Sequence, residues 1–77
     1  MATINELKEL MLEIGMEKEI VNRVDPAKAL ALQEVDSVDC PAFAAAVEDR
    51  YGVAISDEDG LKLKTLNDFE KYINSKQ

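Results

Sequence analysis

The 77-residue sequence contains no histidine and no tryptophan, and it has one cysteine, Cys40. The absence of histidine removes the commonest general base of enzymes and excludes Ser–His and Cys–His nucleophile pairs. A lone cysteine excludes an internal disulfide and a zinc site built on cysteine ligands. No basic residue is close to Cys40 in the sequence, so we interpret it as a small, inert thiol. These absences argue against a small enzyme.

Basic residues are also scarce, because nine Lys and Arg stand against 16 Asp and Glu, for a net charge of −7. This charge repels nucleic-acid phosphates and anionic membrane surfaces, so we expect neither a nucleic-acid partner nor membrane insertion. No apolar run approaches the ~20 residues that span a bilayer, and the N-terminus does not resemble a secretory signal, which favours the cytoplasm. Acidity favours partners with basic patches, although solubility alone also explains it.

The length predicts one small domain over residues 1–77, with a single modest core. We also expect the chain to be a monomer. A calcium loop starting near Asp57-Glu58-Asp59-Gly60 is the only metal motif worth testing. With Gly60 at the sixth position of an EF-hand loop, Ile55 is first and Leu66 is twelfth, where carboxylates are needed. The sequence therefore predicts no metal site.

The first helix is predicted from Thr3 to Ile14, because apolar residues recur there at spacings of three and four. Thr3 and Glu6 fit a capping box, and Gly15 is a plausible stop. Residues from Met16 to Asp36 follow no regular pattern, and Asp25-Pro26 interrupts any helix. We expect a long ordered loop there with one or two helical turns, a type of connection that is often functional.

A second helix is predicted from Ser37 to Tyr51, with Gly52 as its stop. Pro41 complicates its start. With Ser37 as N-cap, the proline forfeits the first intrahelical bond, whereas Asp39 as N-cap leaves it without cost. The first turn is therefore loosened, or the helix begins late.

Two further helices are predicted near the C-terminus. Ser56 followed by three acidic residues predicts a short helix, which Gly60 keeps short. Thr65 and Asp68 predict the start of a last helix. With no alternating strand pattern, the fold class is all-α: a small four-helix bundle of three main helices and one short helix, with the long loop between helices 1 and 2.

The segment Asp36-Ser37-Val38-Asp39 precedes the second helix and has two interpretations. Local chemistry alone favours a serine N-cap with acidic residues that complement the helix dipole. The spacing of further motifs along the chain changes that balance. These motifs are Val47-Glu48-Asp49-Arg50-Tyr51-Gly52-Val53, Ile55-Ser56-Asp57-Glu58-Asp59, Thr65-Leu66-Asn67-Asp68 and Tyr72-Ile73-Asn74.

In this arrangement the chain resembles the acyl carrier protein family over nearly its whole length. The resemblance implies a non-enzymatic carrier with 4′-phosphopantetheine, taken from coenzyme A, on the Oγ of Ser37. A phosphopantetheinyl transferase would attach it, and acyl groups would travel as thioesters between acyl-transferring or acyl-modifying enzymes. The resemblance also implies partner contacts, for which we select Asp36, Val38, Asp39, Glu48 and Asp49. A merely solvated acidic face explains the acidic members about equally well.

The chain departs from the family pattern at several positions. Val38 replaces the usual Leu, Glu34 stands where many members have Gly, and Pro41 and Ala42 replace an apolar residue and a partner-contacting Glu. The run Ala44, Ala45 and Ala46 makes room for cargo between helices or allows close packing. Lack of Gly-Gly before Asp36 argues against a peptidyl carrier. The departures favour a specialised pathway over housekeeping fatty-acid synthesis, with polyketide synthesis also open. The alternative function is a non-covalent helical interaction module without a prosthetic group.

Overall fold

The computed structural model describes residues 1–35 and 39–76, so that Asp36, Ser37, Val38 and Gln77 lie outside the described residues. Every regular element in the described part is helical, which confirms the all-α prediction. The elements are α1 (Ile4–Glu13), α2 (Lys18–Arg23), a 3-10 turn (Leu30–Leu32), α3 (Asp39–Tyr51), α4 (Asp57–Lys62) and α5 (Leu66–Lys76). None of the described helices is long and apolar enough to cross a membrane.

The start of α1 shows half of the predicted capping box. The hydroxyl oxygen of Thr3 accepts a hydrogen bond of 3.2 Å from the Glu6 amide. The Glu6 carboxylate accepts a hydrogen bond of 2.9 Å from the phenol of Tyr51, at the far end of α3. Glu6 therefore connects two helices that are distant in the sequence.

The end of α1 confirms Gly15 as its stop. Gly15 has φ +98°, a left-handed conformation that favours glycine. The amide of Met16 donates to the Met11 carbonyl at 3.2 Å, and that of Gly15 donates to the Leu12 carbonyl at 3.1 Å. This pair of bonds is a Schellman motif, and it turns the chain back towards α2.

The connection before α3 contains α2 and the 3-10 turn, in agreement with the predicted loop of one or two turns. The Gln33 side chain bonds to both backbone groups of Asp25 and to the Lys28 carbonyl, at 2.8–3.1 Å. The Leu30 amide donates to the Lys64 carbonyl at 2.8 Å. These bonds hold the 3-10 turn beside the start of α5.

The helix α3 is described from Asp39, so Pro41 is the third residue of its described part. With Asp39 as the N-cap or the first helical residue, Pro41 falls among the first four amides, which have no intrahelical partner, and it forfeits no bond. The predicted part before Asp39 falls on Ser37 and Val38, outside the described residues.

The starts of α4 and α5 are as predicted. Ser56 caps α4 by accepting from the Asp59 amide at 3.1 Å. Thr65 and Asp68 form a reciprocal capping box, in which each side chain accepts from the other's amide at 3.0–3.1 Å. Both helices are thus specified by residues close in sequence.

The core forms where α1 packs against α2, α3 and α5. Phe43 and Phe69 meet edge to face with their ring centroids 4.9 Å apart. Every buried residue in the described part of the chain is apolar, and the largest of those fully enclosed are Phe43, Leu7, Met11, Leu66, Ile73, Val21 and Val47. Charged residues are therefore left to the surface and to the groove described below.

Candidate functional site

An apolar groove of about 770 Å³ opens between the 3-10 turn, α3 and α4. Leu30 and Phe69, which are 3% and 4% exposed, form part of its wall against the core. Cys40 and Pro41 bring the first described turn of α3 to the groove. The groove therefore begins close in sequence to Ser37, which precedes that turn.

Two exposed leucines line the same groove from opposite elements. Leu32, on the 3-10 turn, is 73% exposed, and Leu61, on α4, is 75% exposed. Large apolar side chains at the edge of a concave apolar surface are typical of a binding site. The groove thus combines an apolar wall with an apolar rim, which suits a hydrocarbon segment better than a charged one.

The alanine run of α3 serves both roles left open for it, which are room for cargo between helices and close helix packing. Ala44 and Ala45 line the groove, where their small side chains leave it wide. Ala46 packs against the buried core without lining the groove. The volume of the groove therefore depends on Ala44 and Ala45, and close helix packing involves Ala46 and also Ala44, which contacts the core as well.

The acidic residues selected on α3 do not form one stripe. At about 100° per residue, Asp39 and Glu48 lie about 180° apart around the helix axis, and Asp49 lies between them. Asp49 is exposed, whereas Asp39 and Glu48 are half-buried. A partner that contacts all three would have to surround much of α3. Asp36 and Val38 lie outside the described residues.

Glu48 has a structural role in addition to any partner contact. Its Oε2 accepts a hydrogen bond of 3.0 Å from the Ile55 amide, in the connection between α3 and α4. Glu48 also lines the groove. A carboxylate held in this way fixes the chain as it enters α4, so Asp49 is the freer of the two adjacent acids.

Glu34, one of the departures from the family pattern, forms an ion pair with Arg23 at 3.2 Å. Both side chains are about two-thirds exposed, at 65% for Arg23 and 68% for Glu34. Exposed pairs of this kind contribute little to stability. The contact joins the segment just before Asp36 to the end of α2.

Cys40 lines the groove as a half-buried thiol. Burial, and secondly the negative charge of Asp39, raise the pKa of this thiol above its ordinary value. A raised pKa keeps the thiol protonated and unreactive near neutral pH. The structure therefore agrees with the interpretation of Cys40 as an inert thiol.

We expect Asp39→Asn to speed alkylation of Cys40 by iodoacetamide about threefold at a pH of about 8, because removal of the nearby negative charge lowers the thiol pKa. The measurement is the rate of mass gain of the unmodified chain, in which Cys40 is the one thiol. Asp49→Asn, an equal charge change further along α3, is the control and should leave the rate unchanged. Equal rates in both variants would contradict this electrostatic account.

Within residues 1–35 and 39–76, no group of three His, Cys, Asp or Glu side chains is placed to hold a metal ion. The acidic residues Asp57, Glu58 and Asp59 instead occupy the first turn of α4. There they complement the positive end of the helix dipole.

Comparison with known proteins assigns this chain to a family. The family described as a phosphopantetheine attachment site matches residues 4–73. An acyl carrier protein of Rhodococcus erythropolis is 31% identical over 72 residues, which cover 86% of this chain and 79% of that protein. The chain belongs to the acyl carrier protein family. An acyl carrier protein of Rickettsia massiliae is 28% identical over 80 aligned positions, which cover 100% of this chain and 93% of the relative.

Membership of this family defines the chain's role in outline. Its prosthetic group is a covalently attached 4′-phosphopantetheine, and the chain is a carrier protein and not an enzyme. Its partners are a phosphopantetheinyl transferase and acyl-handling enzymes.

Sequence reasoning missed the rim of the groove. Leu61 is an apolar residue in a short, otherwise mostly polar helix, and no apolar neighbour at helical spacing within α4 shares its face. That isolation is a usable indication of a surface role. Leu32 gives no comparable indication, since its exposure depends on the path of the whole connection.

Proposed function

We propose that Ser37 is the attachment residue and that the chain carries acyl intermediates between enzymes in the cytoplasm. Asp36-Ser37-Val38-Asp39 stands immediately before or at the start of α3, where free helix amides and the positive dipole end favour an attached phosphate. The supporting observation is the position of the groove, which is lined by Cys40 and Pro41 of the same helix. The attachment serine and a surface for its cargo would then share one end of α3.

The loading step needs activation from outside the chain. Ser37 Oγ would attack the pyrophosphate of coenzyme A, forming a bond to phosphorus while the bond to the departing adenosine bisphosphate breaks. The serine proton would pass to a base of the transferase, since the chain lacks histidine, the commonest general base. Once attached, 4′-phosphopantetheine supplies a terminal thiol that holds the acyl group as a thioester.

We propose that the groove shelters the acyl chain between enzymatic steps. Each methylene withdrawn from water contributes about 0.8 kcal/mol, so a cargo of several methylenes outweighs the entropy lost by ordering a few side chains. Leu32 and Leu61 would lose their exposure at the same time. The apolar wall argues for a hydrocarbon cargo, and the residues leave its pathway open among fatty-acid, polyketide and specialised acyl synthesis.

Partner enzymes would recognise the acidic surface around α3 through basic patches. Asp36, Val38 and Asp39 flank or follow Ser37 directly, and Asp49 is the most exposed of the acids further along the helix. Single surface ion pairs are weak, so several of these residues would act together, and long-range attraction would speed encounter. Glu48 would contribute less, because its carboxylate is already bonded to the Ile55 amide.

Intact-mass measurement separates this function from the alternative, a non-covalent interaction module. We expect one phosphopantetheine addition when the chain is incubated with coenzyme A and a broad-specificity phosphopantetheinyl transferase. Omission of the transferase is the control. No addition with any such transferase would favour the interaction module.

Backbone chemical shifts test the shelter for cargo. We expect acylation of the loaded chain to move the resonances of groove residues such as Leu30, Ala44 and Phe69, because the acyl chain contacts them. The comparison is between the loaded chain with and without an acyl group. Shifts confined to the residues next to Ser37 would contradict the groove as a cargo site.

A further inference from the structure

The helix α4, which forms one wall of the groove, is less well anchored in the core than α3, which forms the other wall. None of the six residues of α4, all of which the structure describes, is buried. The other wall belongs to α3, which is fixed in the core by Phe43 and Val47. Helices with few buried apolar contacts open locally at low free energy, so α4 is the wall that moves more easily.

The two ends of α4 are anchored by apolar packing, although none of its own six residues is buried. Ile55 and Leu63, which flank the helix, pack against the core as partly buried residues. The Ser56 cap closes the first turn. The helix is therefore a short segment held at both ends by packed residues. Outward movement of α4 would widen the groove without displacing the rest of the chain.

Gly60 lowers the helical stability of α4, although neither backbone conformation nor lack of space requires glycine there. Its φ is not among the positive values, which occur at Gly15 and Gly52 among the described glycines. A Cβ added at Gly60 would meet the Cγ2 atom of Ile55 at 3.9 Å, which is ordinary contact. Alanine is therefore permitted sterically and favoured by helix propensity. Since Gly60 and Ile55 both line the groove, that methyl group would also narrow it.

Within the described part of the chain, the Tyr72 phenol ties the middle of α4 to the bundle. The Tyr72 hydroxyl lies 3.0 Å from Oδ2 of Asp59 on α4 and 2.7 Å from the Ala54 carbonyl oxygen. A phenol has one proton, and a carbonyl and an ionised carboxylate only accept, so the two partners share one donor. The contact to Asp59 is the longer of the two, so the phenol holds α4 less firmly than it holds the Ala54 carbonyl.

We propose that Gly60 and Tyr72 determine the size of the acyl cargo that the groove admits, by setting how far α4 moves away from α3. This inference rests on the proposed carrier function. Glycine keeps α4 easily deformed and leaves space for a hydrocarbon chain, and the Tyr72 hydroxyl limits the opening through Asp59. Both residues are distant in sequence from Ser37, so we expect them to affect cargo size and not loading.

Amide hydrogen exchange on the unmodified chain tests the movement of α4. The Leu63 amide donates to the Gly60 carbonyl at 3.3 Å and reports on the end of the helix. We expect it to exchange about threefold faster in Tyr72→Phe, from loss of one hydrogen bond, and about fourfold slower in Gly60→Ala, from higher helix propensity. The control is Tyr51→Phe, which removes another phenol–carboxylate bond, to Glu6, on a different side of the bundle and should leave the Leu63 amide unchanged.

Protein loaded with acyl groups tests whether Gly60 affects the length of acyl chain that the groove admits. Each variant is charged with saturated acyl groups from butanoyl to dodecanoyl, and the shifts of Leu30 and Phe69 are followed with chain length. We expect these shifts to stop growing at a shorter chain in Gly60→Ala than in the wild type. Lys62→Ala, a change of nearly equal helix propensity on α4 outside the groove lining, should keep the wild-type limit.

The outcomes separate this inference from the proposed function. Equal Leu63 exchange in all variants, or the same length limit in Gly60→Ala and the wild type, would overturn the role of Gly60 and Tyr72. The exchange measurement needs no prosthetic group, and the mass of each loaded sample is verified first. A failure of loading would therefore appear as a missing mass addition and would count against the proposed function instead.

Discussion

Phe43→Ala should lower the free energy of unfolding by about 3–5 kcal/mol, because it truncates a large, fully buried side chain. Phe43 is 1% exposed and meets the Phe69 ring edge to face. Its removal loses the burial of the ring and leaves a cavity between α3 and α5. Since typical domains are stable by about 5–15 kcal/mol and small ones lie near the lower end, much of the population should unfold.

Urea unfolding followed by circular dichroism measures this loss. Leu61→Ala is a matched control, because it also truncates a large apolar side chain but at a position that is 75% exposed. We expect it to change the free energy of unfolding by less than about 0.5 kcal/mol. If the two variants were equally stable, the core as described would be wrong.

Ser37→Ala should abolish attachment of phosphopantetheine completely, because the hydroxyl that bonds to phosphorus is removed. Ser56→Ala is the control: Ser56 is a second serine with an acidic neighbour in the sequence, Asp57, and it caps α4 through the Asp59 amide. That variant should lose about 1 kcal/mol of stability and still accept one phosphopantetheine group. Intact mass after incubation with transferase and coenzyme A measures both, and loading of Ser37→Ala would refute the assignment.

The local parts of this fold could be predicted because neighbouring residues specify them. Thr3, Ser56 and the pair Thr65 and Asp68 each satisfy amides within a few positions of themselves, and Gly15 ends α1 through its own backbone conformation. Such contacts depend little on the rest of the chain. The all-α class follows from these helix ends and the apolar spacing between them.

The parts that could not be predicted depend on contacts between distant residues. The sequence predicts that Glu6 completes its own cap, but its carboxylate accepts a hydrogen bond from Tyr51. Glu48 is a predicted partner contact, and its carboxylate accepts a hydrogen bond from the Ile55 amide. The groove requires the relative placement of three elements. Family resemblance supplied Ser37 from motif spacing, but no spacing in the sequence predicts that Leu61 is exposed at the rim.

The role of the acidic residues is specified least well by the sequence, because a count of charges does not show where they lie on the surface. Net charge predicted basic partner surfaces, yet helix geometry separates Asp39 from Glu48 by about half a turn around α3. One flat surface would not contact both. A partner that uses this helix would therefore contact the residues nearest Ser37 together with one side of α3.

Peptide mapping of the loaded wild-type chain tests the central claim most directly. The chain has three serines, Ser37, Ser56 and Ser75, and two threonines, so a tandem mass spectrum can assign the modification to one hydroxyl. We predict a single phosphopantetheine group on the peptide that contains Ser37, localised to that residue. A modification at any other residue, or a chain that stays unmodified with an active transferase, would contradict the account.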